Sequence, residues 1–563
     1  MICQRLILVN VFYMLIMFLQ MFVVRETKKE HCTKNKREVI VMKLKALALV
    51  AAVLMTASCF AACGKEEQKP VESTPDASSE VVEEESEEEA GRSTEHQQIE
   101  ITKTPVTDLD YMDTDLDTTE AVELLWYQWG DPAEESDMVY EKLNEMSAAD
   151  INTTVDYKFA DNTKAGLIIS TDEYYDMVFT CSWQTNYVEN ANKGVFAHLE
   201  EYLPTAAPTL YNFIPELVWQ GATVNGHIDM VPVYKDSAAT LVWVIDKDLA
   251  ESADLADEIA ALNADFDSMT PILEILKNET DMEGAPSPYS TTGHSFSYAF
   301  DYITRTAHGI GIEDDNGKVI SILESNEGKH MAETLSKWYA NDLLDKDAIT
   351  NGAGVWAPVS IAQAWANSEE FLKNVDHGAV VIAEKDPALY TTDYVIGSGH
   401  AISVNSDYVE RALLFLQWIN CNYEARNIFV YGIEGTHWNK TEEGTAQKTE
   451  QGLNKYSPSS FSQATFFTTI PEAPKPLNAW DGLLQSCQTA TATKLLGFTP
   501  NNDNIQNELA ALNTVWSQYS KNITCGVSQD ILADMETALE AMKVAGLQTI
   551  IDEYQAQVDE YIG

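Results

Sequence analysis

Cations are scarce in this chain. Its 36 Lys and Arg stand against 88 Asp and Glu, a formal net charge of -52. A surface of that sign repels the phosphates of nucleic acid and of anionic headgroups, which excludes nucleic acid as a partner. Most of the charge is spread along the chain and solvated, so it names no ligand. Motifs for demanding chemistry are missing too. There is no GxSxG nucleophile elbow, no HExxH zinc pair and no GxxxxGK[ST] phosphate loop. None of the ten histidines, His294, His308, His377, His400 and His437 among them, has metal-ligand spacing. The eight cysteines form no CxxC pair, which excludes the common zinc and redox motifs. Cys181, Cys421, Cys487 and Cys525 are too widely spaced for a disulfide framework and read as buried free thiols, with disulfides as the alternative. Neither cofactor nor resident metal is expected.

What is present begins with two apolar stretches. Leu6 to Val24, flanked by Arg5 and Arg25, is about long enough to span a bilayer. The second starts at Met42, with Lys43 and Lys45 ahead of apolar Ala46 to Ala57, and ends in Phe60-Ala61-Ala62-Cys63-Gly64. That is the layout of a secretory signal peptide with small residues before the cut. Its final cysteine resembles the lipobox of bacterial lipoproteins, so Cys63 is the expected lipidation site and Cys59 the competing acceptor. Both stretches cannot be the export signal. Residues 1–41 are read as an upstream extension, with Arg37-Glu38 encodable by a sequence resembling a ribosome-binding site ahead of Met42; a true N-terminal membrane anchor is the alternative. Residues 42–62 are the signal peptide.

From Lys65 to about Thr118 large apolar residues are few, and Glu83 to Glu89 is an acidic run. Such a stretch cannot bury enough surface to fold, so 63–118 reads as a lipidated cysteine followed by a disordered acidic tether. Asp108, Asp110, Asp113, Asp115 and Asp117 invite calcium, but they lack the glycine and terminal glutamate of an EF-hand loop.

The folded region is expected over 119–563. Val122–Tyr127, Thr153–Phe159 and Asp176–Thr180 read as strands, with Met138, Leu143 and Met146 at helical spacing between the first two. Strands alternating with helices imply a parallel α/β sheet. Further strands are expected at Leu241–Ile245, Ala379–Ile382 and Ala401–Val404, a hairpin turn at Asp315-Asn316-Gly317-Lys318, and helices over Ala253–Leu276, Val409–Ile419 and much of Asn504–Ile562. At 563 residues there is room for two or three lobes.

Open α/β sheets bind ligands beyond the carboxyl ends of their strands. That points to Trp129-Gly130-Asp131 and to Ser182 through Tyr187. Trp129, Trp183 and Tyr187 follow strand ends, and Trp356 and Trp438 sit in glycine-containing loops; for each, core packing is the competing role. Asp131, Asn186 and Glu434 are polar candidates whose competing role is turn chemistry or helix capping. Flat aromatic faces with planar polar groups are the chemistry of a sugar site.

Several segments carry a likeness. They are Glu173-Tyr174-Tyr175-Asp176-Met177-Val178-Phe179-Thr180 with Trp183, then Asn190 to Phe196, then Val224-Asn225-Gly226-His227-Ile228-Asp229-Met230-Val231-Pro232. Tyr431-Gly432-Ile433-Glu434-Gly435-Thr436-His437-Trp438 and the stretch from Leu496-Gly497-Phe498 to Tyr554 follow. In this order they resemble family 1 extracellular solute-binding lipoproteins of ATP-driven importers, of the Firmicute oligosaccharide or aldouronate type. The third segment departs from the family pattern at His227 and at Asp229-Met230. The C-terminal part, about 430–563, resembles the DUF3502 domain.

The resemblance implies a two-lobed periplasmic-binding-protein-like α/β fold with a hinge, a cleft and a helical C-terminal region. Lobe one would be about 120–236 and 392–422, lobe two about 240–390 and 425–563. The implied protein is a monomer, lipid-anchored on the extracellular face of the membrane, that passes an oligosaccharide or other small solute to ABC permease subunits. It is not an enzyme. The alternatives are a surface glycoside hydrolase or lyase, for which 88 carboxylates leave room, and an adhesin or sensor that binds glycan without transport.

Overall fold

The computed structural model describes residues 92–563, apart from Asp172, Ala239, Glu283, 290–300, 305–308, 314–315, 352–355, Ala366 and 373–377. The expectations for the two apolar stretches, Cys63 and the first part of the tether lie outside the described residues, as do His294, His308 and His377.

In chain order the first elements are β1 (Val122–Trp129), α1 (Ser136–Ile151), β2 (Thr153–Ala160), α2 (Asn162–Ser170), β3 (Met177–Thr180), α3 (Tyr187–Asn192) and β4 (Val231–Pro232). The chain then crosses to a second lobe with β5 (Thr240–Asp246), β6 (Asp301–Thr304), β7 (Ile310–Ile312), β8 (Val319–Ser321), α4 (Asn326–Ala340), β9 (Val359–Ala364) and β10 (Val380–Asp386). It returns with β11 (Gly399–Ile402), α5 (Val409–Cys421) and α6 (Tyr423–Tyr431), and ends in α7 (Gln506–Thr524), α8 (Ile531–Val544) and α9 (Leu547–Ile562).

The first lobe is built on a five-stranded sheet of order β2-β1-β3-β11-β4. β1 pairs in parallel with β2 and β3. β11 runs antiparallel to β3 and β4, so the sheet is mixed rather than wholly parallel. β1 is buried at Leu124, Trp126, Tyr127 and Gln128. Sheets covered on both faces by helices read as near-continuous apolar runs, which is why β1 and β3 stand out in the sequence. The second lobe holds an antiparallel sheet β9-β5-β10 and a meander β8-β7-β6. Within the meander Glu313 N–H donates to Lys318 O at 2.9 Å, the expected hairpin. The helix expected over Ala253–Leu276 is broken into Ala256–Ala260, a 3-10 turn at Phe266–Met269 and Thr270–Glu279. Pro271 sits in the first turn of the last segment, where its missing N–H costs nothing.

Three cores organise these elements. One joins the first sheet to α5 and α6; a second surrounds β5 and α4; a third joins the meander to α7, α8 and α9. The first core corrects the expected lobe boundary. Ala425, Phe429, Tyr456, Phe467, Leu483 and Leu496 all belong to it, so the chain from 425 to about 496 is part of lobe one. The reason is local. Asn422 alone separates α5 from α6, and its side chain caps α6 by accepting from Glu424 N–H and Ala425 N–H. Such a tight turn folds α6 back onto the first core.

The tether boundary is corrected too. Residues 92–118 lie on the folded body. Ile99 N–H donates to Asn212 O at 2.8 Å and Val106 N–H to Phe467 O at 2.7 Å. Ile101 and Val106 are buried. Thr104 donates both its N–H and its hydroxyl to Asp481. The few apolar residues here each find a slot, and backbone pairing supplies the rest. Asp113 and Asp115 grip the Arg92 guanidinium at 2.6 and 3.0 Å, so two carboxylates considered for calcium hold a side chain instead. Among the described residues no group of three or more His, Cys, Asp or Glu is placed to hold a metal. Cys181, Cys421, Cys487 and Cys525 are buried, and none of them is in a disulfide.

Candidate functional site

β1 and β3 end side by side. β1 finishes on Trp129, and Gly130 turns the chain away at φ +91°, a conformation that needs glycine. β3 finishes on Thr180, and the loop 181–186 closes on itself. Cys181 N–H donates to Gln184 O and Tyr187 N–H to Cys181 O, both at 3.0 Å. Ser182 N–H reaches across to Ile396 O at 2.9 Å. The loop tip is tense: Thr185 and Asn186 have φ of +59° and +24°, uncommon outside glycine and typical of sites that present side chains.

This frame lifts Trp183 out. Its indole N–H donates to Gly397 O at 2.9 Å, yet the residue remains 48% exposed. The ring meets Trp129 edge-on, with centroids 5.3 Å apart and an interplanar angle of 90°. Phe461 lies 5.6 Å from Trp129 and 6.2 Å from Trp183. Phe179 of β3 backs the group at 5.9 Å from Trp183. A large indole fixed at its N–H but open to solvent is a ready stacking surface.

Phe461 is not among the sequence candidates. It sits in the Ser457-Pro458-Ser459-Ser460 loop with no local signal. Its place is set from β11, because Ser398 Oγ donates to Phe461 O at 2.8 Å and His400 reaches Gln463 O at 2.9 Å. Trp126 Nε1–H donates to His400 Nδ1 at 3.3 Å, so Nε2 carries the proton given to Gln463 O. Burial pushes the His400 pKa down to about 4, which keeps this strut neutral. Burial likewise raises the Cys181 thiol to about 12, so the loop carries no thiolate.

The structure brings Trp129 and Trp183 together, with Asp131 exposed on the turn after Trp129. Asn186 is close in sequence but is spent on α3. It accepts from Glu189 N–H at 3.3 Å and donates to the Glu189 carboxylate at 3.1 Å, the capping role. Tyr187 is core: fully buried, it donates to Ala222 O at 2.5 Å and accepts from Asp229 N–H at 3.2 Å. Trp356 is half-buried against the second core. Trp438 is buried, donates to Gly432 O at 3.0 Å and packs on Tyr431, forming a small satellite core with Ile470. Glu434 is exposed on the turn above it. Tyr187, Trp356, Trp438 and Glu434 therefore do not join the aromatic shelf.

Three connectors cross between the lobes near this shelf. They run through 233–238, 387–391 and 490–495. The last two are stitched as parallel strands, Leu389–Tyr390 with Thr491–Ala492. Tyr390 hydroxyl donates to Cys487 O at 2.9 Å, and Cys487 in turn lies against Lys235 O. Asp236 pairs with Lys235 and accepts from Gln363 Nε2 at 3.3 Å. Lys385 is paired with Asp386 at 2.8 Å. Two cavities lie in this part of the fold, and only the second is lined by a shelf residue. One of about 530 Å³ lies against the connectors and holds Asp301, whose pKa burial raises to about 6. The other, about 580 Å³, lies between α2 and α3 and is lined by Trp183 and Asn186.

Residues 494–563 match the family model described as a domain of unknown function, DUF3502, which begins later than the 430 expected from sequence. A carbohydrate ABC transporter substrate-binding protein of Streptococcus pneumoniae is 26% identical over 468 residues, covering 77% of this chain and 90% of that protein. Among solved structures, the N-glycan transport solute binding protein NgtS of S. pneumoniae aligns with a TM-score of 0.69 at 22% identity, covering 79% of this chain and 99% of that one. The same protein in complex with Man1GlcNAc aligns at 0.62, with 21% identity over 78% of this chain and 99% of that one. An HMO-binding, ABC-transporter-associated solute binding protein of Bifidobacterium longum infantis aligns at 0.52 and 12% identity, covering 78% of this chain and 99% of that one. The two-lobed fold is thus that of solute-binding proteins, and the resemblance drawn from the ordered segments is borne out.

Proposed function

We propose that this chain, with the fold of ABC-importer solute-binding proteins and a DUF3502 domain at residues 494–563, captures an oligosaccharide between its lobes and delivers it to a membrane permease. The carrying observation is the shelf of Trp129, Trp183 and Phe461 at the carboxyl ends of β1 and β3, beside the connectors. Pyranose rings have apolar faces that stack on indoles, and the exposed Trp183 offers such a face without rearrangement. Closure of the second lobe about the connectors would bury the sugar's other face, the hinge repertoire of such receptors. Because the S. pneumoniae neighbours are named for N-glycan transport, mannose- and N-acetylglucosamine-containing chains are the first ligands to try.

The test is calorimetric titration with a panel of such oligosaccharides. Saturating ligand should raise the melting temperature by simple linkage. Trp183→Ala should remove that rise. A panel without heat or shift, or a rise that Trp183→Ala leaves intact, would sink the reading. The glycan should also emerge from incubation chemically unchanged by mass spectrometry; cleavage products would instead make the protein a hydrolase or lyase. We further propose that Cys63 carries a diacylglyceryl anchor and holds the receptor on the outer face of the membrane as a monomer. Cys63→Ala should move the protein from the detergent phase to the aqueous phase on Triton X-114 partition.

A further inference from the structure

We infer that the groove between α2 and α3 is a second sugar-binding region of lobe one, which takes the residues of a neutral oligosaccharide lying beyond the Trp129–Trp183–Phe461 shelf. This rests on the oligosaccharide reading above and adds an extent and a charge class to it.

Several independent features converge on the groove. At about 580 Å³ it falls within the 300–1,000 Å³ typical of small-molecule sites. Trp183 lines it and also belongs to the shelf, so one indole is shared by the two regions. The wall is braced: Asp161 caps α2 by accepting from Lys164 N–H at 2.7 Å, and Asn162 Oδ1 accepts from Thr185 N–H at 2.8 Å. That leaves the Asn162 Nδ2 and the Ser182 Oγ with no protein partner among the described residues, and both residues line the groove. Amide and hydroxyl groups beside one indole are what hydroxylated rings need.

Charge in the groove is balanced. Its charged lining residues are Glu189 and Lys193, which pair one helical turn apart at 2.5 Å. A carboxylated sugar would find no unpaired cation there, whereas a neutral sugar loses nothing.

Gly166 gives the last indication and the test. It lies inside α2, where glycine costs about 0.5–1 kcal/mol against alanine. A Cβ added there would meet no atom within 4 Å, because the position opens on the groove. Its φ is ordinary, so a side chain can be added without backbone strain. Gly166→Phe therefore fills the groove while leaving the core alone, and Gly166→Ala serves as the helix control.

The experiment titrates the full chain with neutral oligosaccharides of one to six residues by calorimetry. In the natural protein affinity should keep rising with length. In Gly166→Phe the longest chains should lose about tenfold in affinity, while the shortest ligand that binds is unaffected and the melting temperature does not fall. Gly166→Ala should bind every length as the natural protein does. Equal affinity for long chains in Gly166→Phe and the natural protein would overturn the groove while leaving the shelf intact. So would a chain with one uronic acid residue, bearing one carboxylate, that binds more tightly than its neutral counterpart. Silence of the natural protein toward every length would instead overturn the oligosaccharide reading itself.

Discussion

Trp183 and Trp438 each donate an indole N–H to a glycine carbonyl. For Trp438 the acceptor is Gly432, six residues back in the same turn; for Trp183 it is Gly397, on the loop ahead of β11. A partner within the turn folds the indole into its own loop, and Trp438 ends up buried on Tyr431. A partner far along the chain pins the edge of the ring and leaves its body in solvent. Two residues of one type, both in turn-rich loops, are thereby divided into a core and a binding surface by where a single hydrogen bond goes.

Truncating the buried ring is the most direct test of this division. Trp438→Ala should cost about 3–5 kcal/mol of stability, read as a fall in the urea midpoint of the first-lobe transition, with residual folded protein still binding ligand. A loss under about 1 kcal/mol would mean that the satellite core does not need the indole.

Next in size is the pH response of the strut behind the shelf. His400 is neutral in the fold, with its pKa pushed from 6.5 down to about 4. Above pH 6.5 it is neutral folded or unfolded and adds no pH dependence. As pH falls from 6.5 toward 4 the unfolded chain takes up the proton first, so stability drops, by up to about 3 kcal/mol, and levels off below 4. His400→Gln should flatten that slope in denaturation midpoints taken between pH 4 and 7; an unchanged slope would assign it to other groups. Asp301 works in the opposite sense. Its folded pKa of about 6 lies above the ordinary 3.8, so it favours the fold below pH 3.8 and loses that contribution as pH rises through 6. Asp301→Asn should remove this opposing trend from the second-lobe transition.

Trp183→Ala sharpens the other arm. Ligand affinity should fall about thirtyfold or more, while unliganded stability moves by less than about 0.5 kcal/mol. The smallest effect is expected at Arg92, whose pairs with Asp113 and Asp115 are partly exposed. Arg92→Ala should cost about 0.2–1 kcal/mol and show as faster amide exchange confined to the first residues of the strap 92–118.

Much of the architecture is legible in the sequence. The strands β1, β2, β3, β5 and β10 and the helices α5, α7, α8 and α9 follow from apolar runs and helical spacing, because each buries a face whose periodicity is written locally. The shelf was half legible. Trp129 and Trp183 follow from strand ends, whereas Phe461 depends on Ser398 and His400, some 60 residues away, and no window of sequence contains that contact. Tyr187 also follows a strand end, yet its hydroxyl is claimed by Ala222 O, a partner equally out of local view. The strap was misread because its composition is that of a solvated linker. Its few anchors, Ile101, Val106 and Thr104, gain their meaning from Phe467 and Asp481, more than 350 residues later.

That strap also limits how far the receptor can roam. With Cys63 as the anchor proposed above, 29 residues would separate it from Arg92, where the strap begins, instead of 55 from Thr118. At about 3.5 Å per residue the ceiling on its stand-off from the bilayer falls from about 190 Å to about 100 Å. A pull on such an anchor would reach the strap's partners Asn212, Phe467 and Asp481, all in the first lobe. In that arrangement the second lobe would carry none of the load.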